Sequence, residues 1–293
     1  MFDNCPLEDL VDFIDWTPFF RTWELHGKYP DILEDPKVGE AARSLHQDAL
    51  ELLNRIVAEK LFHARAVVGL FPALTVDDDD VEILDPENGA IITTVRFLRQ
   101  QMYKPPGRPN LCLADFVTPA SSGINDYMGC FAVTAGHGVP ELCRKFEEDH
   151  DDYNSIMTKA LADRLAEALA EQTHLRVRTE LWGYGETEVL SSAELVSESY
   201  EGIRPAPGYP ACPDHSEKKT LFELINATGN TDITLTETCA MMPAASVSGW
   251  YFGHPEAHYF GLGKIGQDQV SNYAERKNMT VEEATKWLGP NLA

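Results

Sequence analysis

Residues 202–219 read GIRPAPGYPACPDHSEKK, a stretch that neither a helix nor a strand can absorb. Its four prolines fix φ at every second or third residue and remove backbone donors, which excludes the interior of a helix and of a sheet. Compact domains seldom keep irregular connections this long unless the connection does something. The composition is not low-complexity, so disorder is a poor account of it. Any fold of this chain must seat a stiff loop carrying Arg204, Tyr209, Cys212 and His215.

The flanking sequence is regular. Thr17-Pro18 looks like an N-cap followed by proline at the first helical position, opening TPFFRTWELHGKY. Val38, Ala42, Leu45, Ala49, Leu52 and Ile56 recur at spacings of three and four, an amphipathic helix over 38–56. ARAVVGLF (64–71) and DYMGCFAVT (126–134) read as buried strands, and two β-rich runs flank Asn88-Gly89 as a hairpin. Residues 155–180 predict a long helix with Ile156, Ala160, Leu161, Leu165, Ala168 and Leu169 inward and Glu167 on its more polar side. Ser191-x-x-Glu194 is a capping box opening a short helix that carries Glu198 and ends near Gly202. Thr220-x-x-Glu223 caps another at LFELI. Short strands follow at 232–238, 246–253 and 258–263, then two closing helices, the second capped by Thr280-x-x-Glu283. Strands and helices come in runs without a βαβ rhythm, so the expectation is α+β with an antiparallel sheet, in one compact unit.

Charge and cysteines narrow the function. A net charge of −23 argues against nucleic acid and anionic membranes, both of which demand a basic footprint. The acidic runs VDDDDVEI (76–83) and EEDHDDY (147–153) lack EF-hand spacing and read as exposed loops or caps. The six cysteines are scattered without a C-x-x-C. With no signal peptide and no apolar run of membrane-spanning length, they read as reduced thiols of a cytoplasmic protein.

Three motifs invite chemistry and fail on context. GLGKIG (261–266) is a literal G-x-G-x-x-G, but the 27 residues after Gly266 read as helices, so no βαβ unit can form. It reads instead as a glycine-rich strand-to-helix turn whose backbone can approach a ligand closely. Cys212-Pro-Asp-His215 with His254-x-x-x-His258 lacks paired ligand spacing, and Gly253 and Pro255 interrupt the helix it would need, so no metal is expected. SVSGW lacks the G-x-S-x-G elbow of a hydrolase.

The loop itself points to a ligand. Arg204 beside Pro205, and Tyr209 between Gly208 and Pro210, sit on stiff backbone. A guanidinium so held suits bidentate capture of a carboxylate. Glu198 upstream and Tyr259 downstream suit an organic cation, by charge pairing and cation–π attraction. Carboxylate plus cation is an amino-acid derivative; several amino acids or a sulfonium fit, and a structural Arg–Glu pair is the other reading.

IDWTPFF (14–20), CLADFV (112–117), HDDYNSIMTKALADRLAEALAE (150–171), GIRPAPGYPACPDHSEK (202–218), PAASVSGWYFGHPEAHYFGLGKIGQDQV (243–270) and WLGPNL (287–292) closely resemble the C-terminal reactivation module of cobalamin-dependent methionine synthases. The resemblance implies a single C-shaped α+β domain, with a twisted antiparallel sheet and flanking helices, that binds S-adenosylmethionine (AdoMet). It implies a repair reaction in which inactive cob(II)alamin is reduced by a flavodoxin-type donor and methylated from AdoMet. The cobalamin would be held mainly by a partner domain. Carried over by position, the AdoMet site comprises Asp15, Glu167, Glu198, Arg204, Ala206, Tyr209, Tyr259, Phe260 and Gly261. Arg204 would take the methionine carboxylate, and Glu167 and Glu198 would lie near the sulfonium or amino group. The tyrosines would border the ligand, the backbone of Ala206 and of the GLG run would admit the adenosine, and Asp15 would accept a ligand hydrogen bond. No residue is expected to act as acid or base; positioning is the task. The chain starts at Met1 without homocysteine, folate or cobalamin modules, so the expectation is an excised fragment or separate subunit that makes no methionine alone. An activator of a different corrinoid protein, or an AdoMet-binding module without methyl transfer, would share the same residues.

Overall fold

The computed structural model describes residues 1–293. The first half contributes strand β1 (Phe2–Cys5), helices α1 (Trp16–Thr22) and α2 (Gly39–Ala58), then strands β2 (His63–Val76), β3 (Asp80–Leu84), β4 (Ile91–Arg96) and β5 (Asp126–His137). Helices α3 (Val139–Glu148), α4 (Asp152–Arg176), α5 (Ser192–Val196), α6 (Glu217–Leu224) and α7 (Ala227–Thr231) follow. Strands β6 (Thr234–Leu235), β7 (Met241–Met242) and β8 (Ser246–Tyr251) and helices α8 (Gln267–Arg276) and α9 (Val281–Leu288) complete the chain.

The main sheet runs β4-β3-β2-β5-β8 with β1 added to β2, and β6 and β7 form a separate pair. Every strand pairing is antiparallel, as expected for an α+β chain. Period-two alternation divides the core between the faces of the sheet. Phe131, Val133, Ala135 and Tyr251 join α1, α2 and α4 in one apolar cluster, while Cys130, Ala132, Trp250 and Phe252 join α6 and α7 in the other. Each large side chain so buried contributes roughly 1.5–3 kcal/mol. A third, smaller cluster lies between α8, α9 and Leu262.

Helix α4 is the centre of the first layer. Of its 25 residues 14 are buried, spread over more than one face, as in a helix enclosed by core. Asp151 caps it by accepting from the Asn154 N–H at 3.0 Å. It then widens into a π turn over Val177–Leu181.

The proline-rich loop is seated by backbone pairing rather than by helix or sheet of its own. Ile203 pairs with Phe252, and the Trp250 N–H donates to Pro205 O at 2.9 Å, so residues 203–205 cover the free edge of β8. Gly249 is required at this crossing, since a Cβ there would lie 2.8 Å from Pro205 O. The far end is clamped by a buried ion cluster. Lys277 Nζ donates to Asp214 Oδ2 at 2.8 Å, Ser216 Oγ at 2.8 Å and Glu217 Oε1 at 2.7 Å, which uses all three ammonium hydrogens. Tyr273 Oη adds a bond to Asp214 at 2.7 Å.

Several expectations need correction. The cap of α1 is Asp15, not Thr17, because its carboxylate accepts from the Thr17 N–H at 2.8 Å. Ile156 is half exposed and Met157 takes the inward position. α5 stops at Val196, so Glu198 lies beyond it. α6 begins at Glu217 rather than after Thr220, because Asp214 accepts from the Ser216 N–H at 2.7 Å and turns the chain into the helix early. Residues 258–263 form no strand; their backbone bonds the loop instead, with the Leu262 N–H donating to Pro210 O at 2.8 Å. The acidic runs are partly engaged, with Asp79 paired to Arg99, Asp80 to Arg276 and Asp151 serving as the α4 cap. The 38–56 helix, the Asn88-Gly89 hairpin, both buried strands and the capping boxes at Ser191 and Thr280 form where expected. All six cysteines are free thiols, and no helix is long and apolar enough to cross a membrane.

Replacing Lys277 by Met leaves Asp214 and Glu217 buried without their shared cation. We expect a loss of about 3–5 kcal/mol in chemical denaturation; a loss below about 1 kcal/mol would show that both carboxylates find other partners.

Candidate functional site

Where the loop crosses the edge of β8 it opens a cavity of about 490 Å³, within the range of small-molecule sites. Its walls are Glu167 from α4, Glu198 from the turn after α5, Arg204–Ala206 and Tyr209–Ala211 from the loop, Val247 from β8, and Tyr259–Gly261. Eight of the nine residues carried over from the sequence therefore converge: Glu167, Glu198, Arg204, Ala206, Tyr209, Tyr259, Phe260 and Gly261. Asp15 does not line the cavity; one of its oxygens is engaged in capping α1.

The alternation of residues 203–205 aims Arg204. Ile203 is buried in the α6–α7 core, so Arg204 faces the opposite side, toward α4. Its Nη1 is ion-paired with Glu171 Oε2 at 2.7 Å, and it donates to Tyr200 Oη and to His174 Nδ1 at 3.4 Å. Its Nη2 meets Glu198 Oε1 at 3.4 Å. The backbone N–H of Arg204 donates to Tyr259 Oη at 3.1 Å, which ties the loop to the opposite wall. Burial opposes the guanidinium's charge, yet Glu171, Tyr200, Tyr259 and Glu198 together hold its pKa above the usual arginine value.

Glu198 occupies a position that normally takes glycine. The Glu198 N–H donates to Leu195 O at 3.0 Å and the Ser199 N–H to Glu194 O at 2.9 Å. That pair of bonds is a Schellman motif, whose left-handed residue is usually glycine. Glu198 adopts it with φ 53°. A non-glycine residue in such a conformation costs of order 1 kcal/mol and tends to persist where its side chain is used. Here the side chain faces Arg204 across the cavity.

Beneath the cavity lies a network that sequence reasoning missed. Arg178 is wholly buried, with Glu188 Oε2 at 2.9 Å, Glu171 Oε1 at 3.8 Å and the Tyr200 ring 3.6 Å from its guanidinium carbon. Burial raises the Glu171 carboxyl above its ordinary value, against the pull of Arg204, the Tyr200 hydroxyl and Arg178. His174 stacks on Tyr251 with ring centroids 4.9 Å apart and has Tyr184 Oη 3.3 Å from Nε2. Because Nδ1 faces a guanidinium donor it must be the unprotonated nitrogen, so Nε2–H donates to Tyr184. Burial first, then Arg204 and Arg178, holds His174 well below the usual histidine range, and the ring is neutral. One signal was available. Glu167, Glu171, His174 and Arg178 follow each other at spacings of four, three and four, a polar stripe along one face of the helix and its π turn. Tyr184 and Glu188 come from WGYGETE (182–188), a run with no sequence-level reading.

The sequence matches the family model described as "Vitamin B12 dependent methionine synthase, activation domain" over residues 6–278. Among solved structures, the MetH reactivation domain bound to AdoHcy matches with a TM-score of 0.95 at 54% identity, covering 99% of this chain and 89% of that one.

Neutral His174 has a consequence for stability. Its folded pKa lies well below 6.5, so between those values the unfolded chain binds a proton that the folded protein refuses. The contribution is present above the unfolded pKa and is lost as pH falls below it, at up to about 1.4 kcal/mol per pH unit. Urea denaturation at about pH 7.5 and 5.5 should show wild type losing more stability than His174→Gln; equal losses would show that His174 is protonated in the folded state.

Proposed function

The chain belongs to the family of vitamin B12-dependent methionine synthase activation domains, and from that premise we propose that the cavity beside Arg204 binds AdoMet and presents its methyl group to cobalamin held by a partner domain. The observation that carries this reading is the convergence of one guanidinium, two carboxylates and three aromatic rings on a single cavity. A zwitterionic amino acid joined to a cationic sulfur and a nucleoside needs this set. AdoHcy, the ligand of the related domain, is AdoMet without its transferable methyl group.

Each residue then has a physical task. Arg204 pairs with the methionine carboxylate, a charge-assisted contact strengthened by its burial. Glu198 and Glu167 face the cationic end of the ligand. Tyr259 and Phe260 supply ring surface, and the loop backbone at Ala206 and Gly261 lets the nucleoside approach closely. Asp15 is retained as an acceptor for a part of the ligand that extends beyond the cavity, through its second carboxylate oxygen, the first being occupied at the α1 cap. The prolines hold these groups before the ligand arrives, so little conformational entropy is lost on binding.

The chemistry served is transfer of the AdoMet methyl group to cob(I)alamin, formed by one-electron reduction of inactive cob(II)alamin. AdoMet already carries an activated methyl, so the chain contributes orientation and exclusion of water rather than acid–base catalysis. A flavodoxin-type protein is the proposed electron donor. No methionine is made by this chain alone.

The test combines this chain with a cobalamin-domain fragment, a reducing flavoprotein and methyl-labelled AdoMet. Label is expected on cobalt. Arg204→Ala should weaken AdoMet by about 2–5 kcal/mol in calorimetry and slow labelling, with the far-UV spectrum unchanged. Binding of AdoMet without any methylation would leave a ligand-binding module and end the reactivation reading. Wild-type affinity in folded Arg204→Ala would remove Arg204 from the site.

A further inference from the structure

The charges beneath the cavity alternate along a line: Glu188, Arg178, Glu171, Arg204 and Glu198, at successive separations of 2.9, 3.8, 2.7 and 3.4 Å. From Arg178 onward exposure rises along it. The side chains of Arg178, Glu171, Arg204 and Glu198 are 0%, 6%, 15% and 39% exposed. Glu171 is thus the floor of the site and Glu198 its mouth. Glu171 does not line the cavity; it lies behind Arg204, with its side chain only 6% exposed.

We propose that Glu171 is the positioning residue for Arg204: by holding one amino group of the guanidinium from below, it leaves the other edge to receive the ligand's carboxylate. The inference rests on the AdoMet reading above. Nη1 carries two hydrogens, which go to Tyr200 Oη and His174 Nδ1, while Glu171 Oε2 holds the same nitrogen by charge at 2.7 Å. Nη1 is therefore fully used inside the protein. Nη2 has Glu198 at 3.4 Å, and the side-chain hydrogen bonds of Arg204 to the protein are both made by Nη1. The donors left for a ligand are Nη2 and Nε, the side edge of the fork, which matches a carboxylate with two parallel bonds.

Tyr200 completes the support. Its hydroxyl donates to Glu171 Oε2 at 3.0 Å while accepting from Nη1, so it bridges the two ion-paired groups. Glu171 also stands between two guanidinium groups. With its charge removed, Arg178 and Arg204 face each other uncompensated, and Arg204 turns toward Glu198, out of the ligand's register. A glutamine keeps an acceptor but not that charge.

The experiment compares two ligands. AdoMet carries the carboxylate, whereas methylthioadenosine keeps the adenosine and sulfur without carboxylate or amino group. Glu171→Gln should weaken AdoMet about tenfold and leave methylthioadenosine unchanged by calorimetry. In the Arg204→Ala background the same substitution should cost nothing further, since it acts through Arg204. Tyr200→Phe, which removes the shared hydroxyl but no charge, should repeat the selective loss at about threefold, and it decides the matter if Glu171→Gln fails to fold. Equal weakening of both ligands would assign Glu171 to the general fold, and an additive loss with Arg204→Ala, or no loss of AdoMet at all, would also overturn the proposal. Wild-type protein that binds no AdoMet, or binds both ligands alike, would instead overturn the reading on which the proposal rests.

Discussion

The ion pair between Arg204 and Glu171 is the interaction on which the site depends. A buried guanidinium is unfavourable unless its charge and its hydrogens are met, and removing one partner of such a pair is far more damaging than the pair itself is stabilising. The two side chains come from elements distant in sequence, a loop and the helix α4, joined at 2.7 Å. Their union therefore sets the relation of loop to helix as well as the direction of Arg204. Below it Arg178 has Glu188 at 2.9 Å and Glu171 at 3.8 Å as charge partners, although its two terminal nitrogens make no hydrogen bond.

The scaffold around this pair is arranged so that neither partner can drift. α4 is enclosed along most of its length and cannot rotate without exposing apolar surface. On the other side, residues 203–205 are bonded to the edge of β8 through Ile203 and Pro205. The remainder of the loop is anchored by Asp214 and Glu217 to Lys277 of the C-terminal helical pair. Covering β8 in this way also removes an open strand edge, a liability in any sheet that ends in unpaired backbone groups. The same three residues thus finish the sheet and begin the binding site.

For the reaction proposed, stiffness of this kind is the useful property. A sulfonium needs no activation by the protein, and a methyl transfer needs donor and acceptor held in line. Fixed groups for the carboxylate and the cationic end constrain the methionine portion from two directions. Tyr209 and Tyr259, 63% and 47% exposed, stand where the cavity opens to solvent.

Much of this was legible in the sequence. The α2 pattern, the Asn88-Gly89 hairpin and the capping boxes at Ser191 and Thr280 are local signals, because the contacts that make them lie within a few residues of one another. The prolines of 202–219 excluded regular structure, and Arg204 on stiff backbone announced a carboxylate. Tyr209, Glu198 and Tyr259 were tied to Arg204 by their chemistry, the membership of Glu167, Ala206, Phe260 and Gly261 came through resemblance, and the structure brings them all to one cavity. Tertiary structure alone decided the rest. Residues 258–263 look strand-like, but with no neighbouring strand in reach their backbone bonds the loop instead. Thr17 and Thr220 look like caps, yet Asp15 caps α1 with its own carboxylate, and Asp214 turns the chain at Ser216 so that α6 begins before Thr220. Glu171, His174 and Arg178 read as the polar side of a helix, and they became the floor of the site only because burial of α4 left those charges nowhere to go but toward Arg204, Glu188 and each other. Periodicity states which residues share a face; what that face meets is fixed by long-range packing, and a buried charge takes its meaning from the partner that packing supplies.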